Sequence, residues 1–411
     1  MGMQIEKHWT IRGREQNLGP LSSYALTLWG VQGLLYPQDV VMGTNRAFRA
    51  GYLPSLQKFM RNNGHLSRPY MWSVAGGKGG VGKSIVSALT AIALAQRDSK
   101  VVLVDADFGG ANQREIFGVT RPVKNIWQIL NNRSEDIDNF LIPSQVGNLQ
   151  LLLCEANASD PFHNSIIHRL KFIQMLRCLE ADYVILDLGP RMLDSDLDYY
   201  LNSDVQINVS SPEMTSIQNV SRFLKRAFKR KIDTAIYALQ DEEEYHRFEI
   251  ESENYPIQRQ SLEFMQNRAL PNRELLKRVI DSFNVKIIFN MISEHAPMPG
   301  KVLSKYLNSE LGIHIDVLGS IPYDPVVRRA LHLRNISLVA FNKYTVFSQI
   351  NRILDKVLDA PKDVPTTHTS ILNNSLGTGY STNEIICGSW CSSWGDCDFQ
   401  NPGYRCPIKN E

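Results

Sequence analysis

The chain has 411 residues, 43% hydrophobic and 21% charged, with 44 Lys+Arg against 42 Asp+Glu. This composition excludes a wholly disordered or collagen-like chain, and a net charge of +2 excludes a bulk polycation, so any nucleic-acid contact must come from a local patch. No apolar run approaches the roughly 18 residues of a spanning helix, and MGMQIEKHWT lacks the apolar segment of a signal peptide, which leads us to expect a cytoplasmic protein.

In chain order, residues 1–69 hold Gly19-Pro20, Tyr36-Pro37 and scattered aromatics, and read as a small α+β unit. Residues 70–358 alternate short apolar runs with helical text. Strands are expected at Met71–Ala75, Val101–Val104, Leu149–Leu153, Tyr183–Leu186, Val205–Val209, Val285–Phe289 and Ile315–Leu318. Apolar strands alternating with helices predict an α/β fold, a doubly wound and mostly parallel sheet covered on both faces. Residues 229–280 read as a polar helical insertion, with seven carboxylates between Asp241 and Glu253. The stripe Val346, Phe347, Ile350, Ile353, Leu354, Val357 and Leu358 reads as a last helix covering the sheet, not a membrane anchor. Residues 359–384, opened by Pro361 and Pro365, read as a linker, and 385–411 as a Cys-rich tail. Cys154 and Cys178 stand in core-like text and read as buried small apolar residues.

Gly77 to Ser84 read G-K-G-G-V-G-K-S, which fits G-x-x-x-x-G-K-[ST] between an apolar strand and a helix. Here Gly77, Gly79, Gly80, Val81, Gly82 and Ile85 would offer backbone N–H groups to the phosphates of ATP. Lys83 would reach the β- and γ-phosphate oxygens, and the Ser84 hydroxyl would ligate Mg²⁺. The next strand ends in Asp105-Ala106-Asp107, and the strand from Tyr183 ends in Asp187-Leu188-Gly189. Carboxylates at strand ends beside such a loop can hold Mg²⁺ and orient water.

The early lysine, Lys78, gives the loop a K-G-G-x-G-K-[ST] form that resembles the deviant P-loop of the MinD/ParA/nitrogenase-reductase ATPases. The resemblance implies an ATP-dependent homodimer in which Lys78 reaches the partner's nucleotide and neutralises transition-state charge. It also implies that VDADFGGAN is a first switch, with Asp107 orienting the attacking water and Asp105 in support as a Mg²⁺ residue. Asp187 and Gly189 would form the second switch, Asp187 binding Mg²⁺ through water. Asn290 would read adenine, beside a G-x-I-P-x-D loop holding Pro322 and Asp324. The stretches Asp105–Val119, Ser211–Lys231 and Leu318–Val327 are closest to the MinD-like branch that includes FlhG/FleN. That branch implies slow, partner-regulated ATP hydrolysis and control of the placement or assembly of a flagellar or polar structure.

Two other functions stay open. A metallocluster carrier of the same superfamily would need cysteines, typically C-x-x-C, and this chain has none in that spacing. DNA partitioning would rest on Ser221–Lys231, with six basic residues in eleven; Arg222, Lys225, Arg226 and Lys229 share one helical face, either solvated or in contact with DNA. Residues 1–69 weakly resemble GYF-like domains through Trp9, Arg12, Gly19-Pro20 and Gly33–Val41, with Phe48 or Tyr52 standing in for a missing tryptophan, which implies a proline-rich protein partner. Cys387, Cys391, Cys397 and Cys406 suit Zn²⁺ or an iron–sulfur cluster, with disulfides or plain thiols as alternatives.

Overall fold

A computed structural model describes most of residues 9–50, 69–125, 137–155, 166–237, 278–293 and 315–359. The acidic run, the linker, Tyr52 and the four tail cysteines lie outside the described residues, as do the side chains of Phe48 and Cys154.

The elements are β1 (Trp9–Ile11), β2 (Leu18–Leu21), β3 (Val40–Met42), β4 (Ala47–Arg49), β5 (Tyr70–Ala75), α1 (Lys83–Ala95), β6 (Val101–Ala106) and α2 (Gln113–Ile116). Next come β7 (Lys124–Asn125), a 3₁₀ turn (Ile137–Phe140), β8 (Ile142–Pro143), β9 (Leu149–Glu155), α3 (Ile166–Leu176), β10 (Tyr183–Leu188), α4 (Asp194–Leu201), β11 (Val205–Ser210) and α5 (Met214–Tyr237). The chain then gives β12 (Val285–Ile292), β13 (Ile315–Pro322), α6 (Pro325–His332), α7 (Ser337–Phe341) and α8 (Thr345–Asp359).

The main sheet runs β13-β12-β11-β5-β10-β6-β9-β7, with β8 beside β9. All its pairings are parallel except β8 with β9. Strands such as VVLVDA and VQINVS are buried along their whole length, because helices cover both sides and no residue alternates into water. One face packs α1, α7 and α8, and the other α3, α4 and α5. α1 is apolar nearly all round, and its alanines let it lie close to the strands. The apolar stripe of α8 is buried against the sheet as expected. No described helix is long and apolar enough to cross a membrane.

β1 to β4 form a separate antiparallel sheet in the order β2-β1-β3-β4. Its core residues Trp9 and Trp29 join the apolar cluster that includes α5. Trp9 is therefore interior, and cannot grip a peptide from the surface. Arg278, just before β12, clamps this sheet to the main one. Its guanidinium donates to both Asp39 carboxylate oxygens (2.6 and 3.2 Å) and lies 5.2 Å from the Tyr36 ring centroid.

α5 continues without a break to Tyr237, so residues 229–237 are helical as expected but carry on its buried face through Lys231, Ile232 and Ala235; residues 238–277 of the expected insertion lie outside the described residues. One expectation needs correction. Cys178 is exposed rather than buried, because it falls in the turn after α3, while its neighbours Leu176 and Leu179 take the inward positions.

Candidate nucleotide site

The chain order reverses beside β5: β10, β6 and β9 lie to one side, β11 to β13 to the other. In an open parallel sheet that reversal leaves a crevice at the carboxyl ends of the strands. The loop after β5 occupies it. Gly77 passes so close to the backbone of Asn219 in α5 that a Cβ would overlap it. Gly80 (φ +80°) and Gly82 (φ +85°) take left-handed conformations that L side chains resist. Open space faces Gly79 and Gly80, where a phosphate can sit. α1 starts without a side-chain cap, leaving its first N–H groups for an anion.

Lys83, at the start of α1, is buried, and its Nζ donates to the Lys78 carbonyl at 3.2 Å. Burial lowers its pKa; the charges of Asp187, Asp107 and Asp196 oppose that shift. Lys78, on the same loop, is about half exposed and pairs with Glu213 at 3.5 Å.

Parallel register sets Asp187 of β10 directly beside Asp105 of β6, and both are fully buried. Burial, reinforced by the charge of Asp187, pushes the Asp105 carboxyl up to about 8. Burial also raises Asp187, against donors from Gln113, Ser84 and Ser87 and the charge of Lys83. Ser87 Oγ reaches Asp187 at 3.0 Å. Asp107 stands just beyond β6. Gly110 and Gly189 crowd its carboxylate so closely that a Cβ at either would come within 2.9–3.0 Å. Arg191 approaches it at 3.5 Å. Asp196, on α4, is raised to about 6 by burial.

Asn290 lies at an irregularity of β12, where Phe289 to Ile292 face only Ser320 to Pro322 and Met291 takes φ 60°. A bulge re-aims side chains, and here the Asn290 amide donates to the Val81 carbonyl at 2.9 Å, bracing the loop. Asn290, Ile85, Pro322, Tyr323 and Asp324 border a cleft of about 160 Å³. Asp324 also caps α6, accepting from Val326 N at 2.9 Å.

The structure thus brings together Lys83, Ser84, Asp105, Asp107 and Asp187, and sets Asn290, Pro322 and Asp324 around the neighbouring cleft. Sequence reasoning missed Gln113, Ser87, Arg191 and Asp196. Only Ser87 carried a signal, one helical turn after Lys83. Among the described residues no group of three or more His, Cys, Asp or Glu forms a metal cage. The donor set suits Mg²⁺ all the same, since that ion needs only one or two protein oxygens beside phosphates and water. Ser84 and Asp187 would hold it, with Asp105 alongside. The cation would neutralise phosphate charge, and the raised carboxyls are those expected of acids crowded with too little positive charge.

The basic face of α5 meets α4. Arg226 and Arg230 approach Asp194 at 3.6 and 3.4 Å, while Arg222 bonds Asn219.

A protein-family model described as the NUBPL iron-transfer P-loop NTPase (ParA) matches residues 69–241. The antiactivator FleN of Pseudomonas aeruginosa is 23% identical over 304 residues, 72% of this chain and 89% of FleN. An iron–sulfur cluster carrier protein of Bacillus subtilis is 33% identical over 166 residues, 39% of this chain and 45% of the carrier, so the match spans less than half of that relative. Among solved structures, the MinC:MinD cell division complex of Aquifex aeolicus aligns with TM-score 0.48 and 20% identity over 71% of this chain and 96% of that chain. The family match starts just before β5 and takes in the glycine loop, the strand-end carboxylates Asp105, Asp107 and Asp187, and α5: over residues 69–241 the chain is similar to the ParA-type P-loop NTPases.

Proposed function

We propose that the chain is an ATP-driven switch. Two copies close on two Mg–ATP molecules, slow hydrolysis to ADP and phosphate opens them, and the changing surface regulates the placement or assembly of a flagellar or polar structure. The observation that carries this reading is the contrast between the two loop lysines. Lys83 is buried against carboxylates, whereas Lys78 stands on the rim in an exposed pair with Glu213, a pair weak enough to exchange for a partner's phosphates. Asp107, crowded by two glycines, holds the attacking water. The long alignment with FleN supports the regulatory part of the reading.

Lys78→Ala tests it. ATP binding should persist, because Lys83 and the loop amides remain, while hydrolysis should fall on the order of 10³-fold, as for loss of an arginine finger supplied in trans. Hydrolysis at the wild-type rate would defeat the shared-lysine mechanism.

A second reading, an iron–sulfur carrier, is favoured by the family description and the carrier relative. The absence of any C-x-x-C from the sequence weighs against it. Iron and sulfide analysis of anaerobically purified protein separates the two.

A further inference from the structure

Gln113 touches three parts of the phosphate site at once. Its backbone N–H donates to Asp105 Oδ2 at 2.9 Å. Its side-chain Nε2 donates to Asp187 Oδ2 at 2.8 Å and to the Ser84 carbonyl at 2.9 Å. The residue is fully buried, and its Oε1 has no hydrogen-bond partner among the described residues. An amide oxygen buried without a donor is costly, and a protein that keeps one at the edge of a ligand site is short of the group that donates to it.

We propose that Gln113 is a positioning residue for the cation-bound nucleotide. This rests on the Mg–ATP reading above and assigns a role within that site. The carboxamide ties α2 of the first switch to the start of α1 and the end of β10. It thereby fixes the backbone carrying the Ser84 hydroxyl and orients the Asp187 carboxylate, the two groups that would hold Mg²⁺. Its unpartnered oxygen would be free to accept a hydrogen brought by the hydration shell of such an ion. A glutamine that merely filled space would need neither the paired donation nor the orphan acceptor. Gln113 would thus also report cation loading to the segment that carries Asp107.

Equilibrium binding of a non-hydrolysable ATP analogue to the full chain, with magnesium and with EDTA, tests the proposal. Gln113→Met keeps length and bulk without the hydrogen bonds; Gln113→Glu keeps the shape but sets a carboxylate against Asp187. With magnesium, affinity should fall at least about tenfold in the Met variant, the size expected for a hydrogen bond to a charged group, and further in the Glu variant. In EDTA the Met variant should stay within about twofold of wild type, and its half-saturating magnesium concentration should rise. Wild-type affinity and magnesium dependence in the Met variant would overturn the proposal. An equal loss with magnesium and with EDTA would also overturn it, leaving Gln113 a packing residue. If the Met variant does not fold, Gln113→Asn supplies the test: its amide is too short to span the same partners, and an unchanged magnesium requirement would overturn the role. Wild-type protein that binds no analogue under either condition would sink the nucleotide reading itself.

Discussion

Two buried charge clusters flank α4, and they are built on opposite logic. On one side Asp107, Asp187 and Asp196 share one buried lysine, Lys83, and Asp105 stands beside Asp187; burial raises Asp105, Asp187 and Asp196 because too little positive charge surrounds them. On the other side Asp198 sits between Arg169 at 2.7 Å and Arg230 at 3.0 Å, almost wholly out of water. Burial works to lower Arg230, but the bonds and charge of Asp198 overcome it and carry the net shift upward. The second cluster is complete and holds α3, α4 and α5 together. The first is under-compensated, which costs stability but leaves it ready for a cation and a polyphosphate. Perturbed carboxylates in a crevice mark function; saturated ones mark structure.

The sharpest way to break this comparison is Asp198→Ala, which removes the buried carboxylate that lies between Arg169 and Arg230. Unfolding in urea should show a loss of roughly 3–5 kcal/mol, the usual result of removing one member of a buried pair. A loss under about 1 kcal/mol would mean the arginines find other partners or water.

Lys231 is a smaller and oppositely signed case. It is buried in α5 with its Nζ on the Ser282 carbonyl at 3.1 Å, and burial pushes its pKa down to about 7. Between about 7 and the ordinary value of 10.5 the unfolded chain holds a proton that the folded chain has released. Stability therefore rises with pH through that window and reaches its low plateau below it. Lys231→Met should flatten this slope. Near pH 7 it should also stabilise the fold by about 2 kcal/mol, the desolvation relief less the hydrogen bond lost by Ser282. Thermal melts from pH 6 to 10 (a range of roughly the titration window) read both effects.

The smallest effect belongs to the surface. Arg226 and Asp194 are each more than half exposed and 3.6 Å apart. Arg226→Ala should change stability by less than about 0.5 kcal/mol. A larger loss would mean that the basic face of α5 is a structural strut rather than a surface available to partners.

What was legible in the sequence follows the same division. The glycine loop is contiguous, and each residue's role is local: φ at Gly80 and Gly82, helix start at Lys83. Asp105, Asp107 and Asp187 were legible because apolar strands announce their own ends. Gln113 was not, since its partners lie 29 and 74 residues away and only the register of β6 and β10 brings them together. Asn290 was placed at a strand end, but the bulge and the left-handed Met291 that turn it onto Val81 depend on how β12 pairs with β13. The last turns of α5 read as a polar, solvated segment because Lys231 counts as charged in the sequence yet is buried in the fold.

The central claim is that nucleotide identity sets the association of two chains. Light scattering of full-length Asp107→Ala, saturated with Mg–ATP and separately with Mg–ADP, tests it most directly. The variant should bind ATP and fail to turn it over, so the closed state should accumulate. Twice the chain mass is expected with ATP and a single chain mass with ADP. The same mass under both conditions, with binding of both nucleotides confirmed, would contradict it.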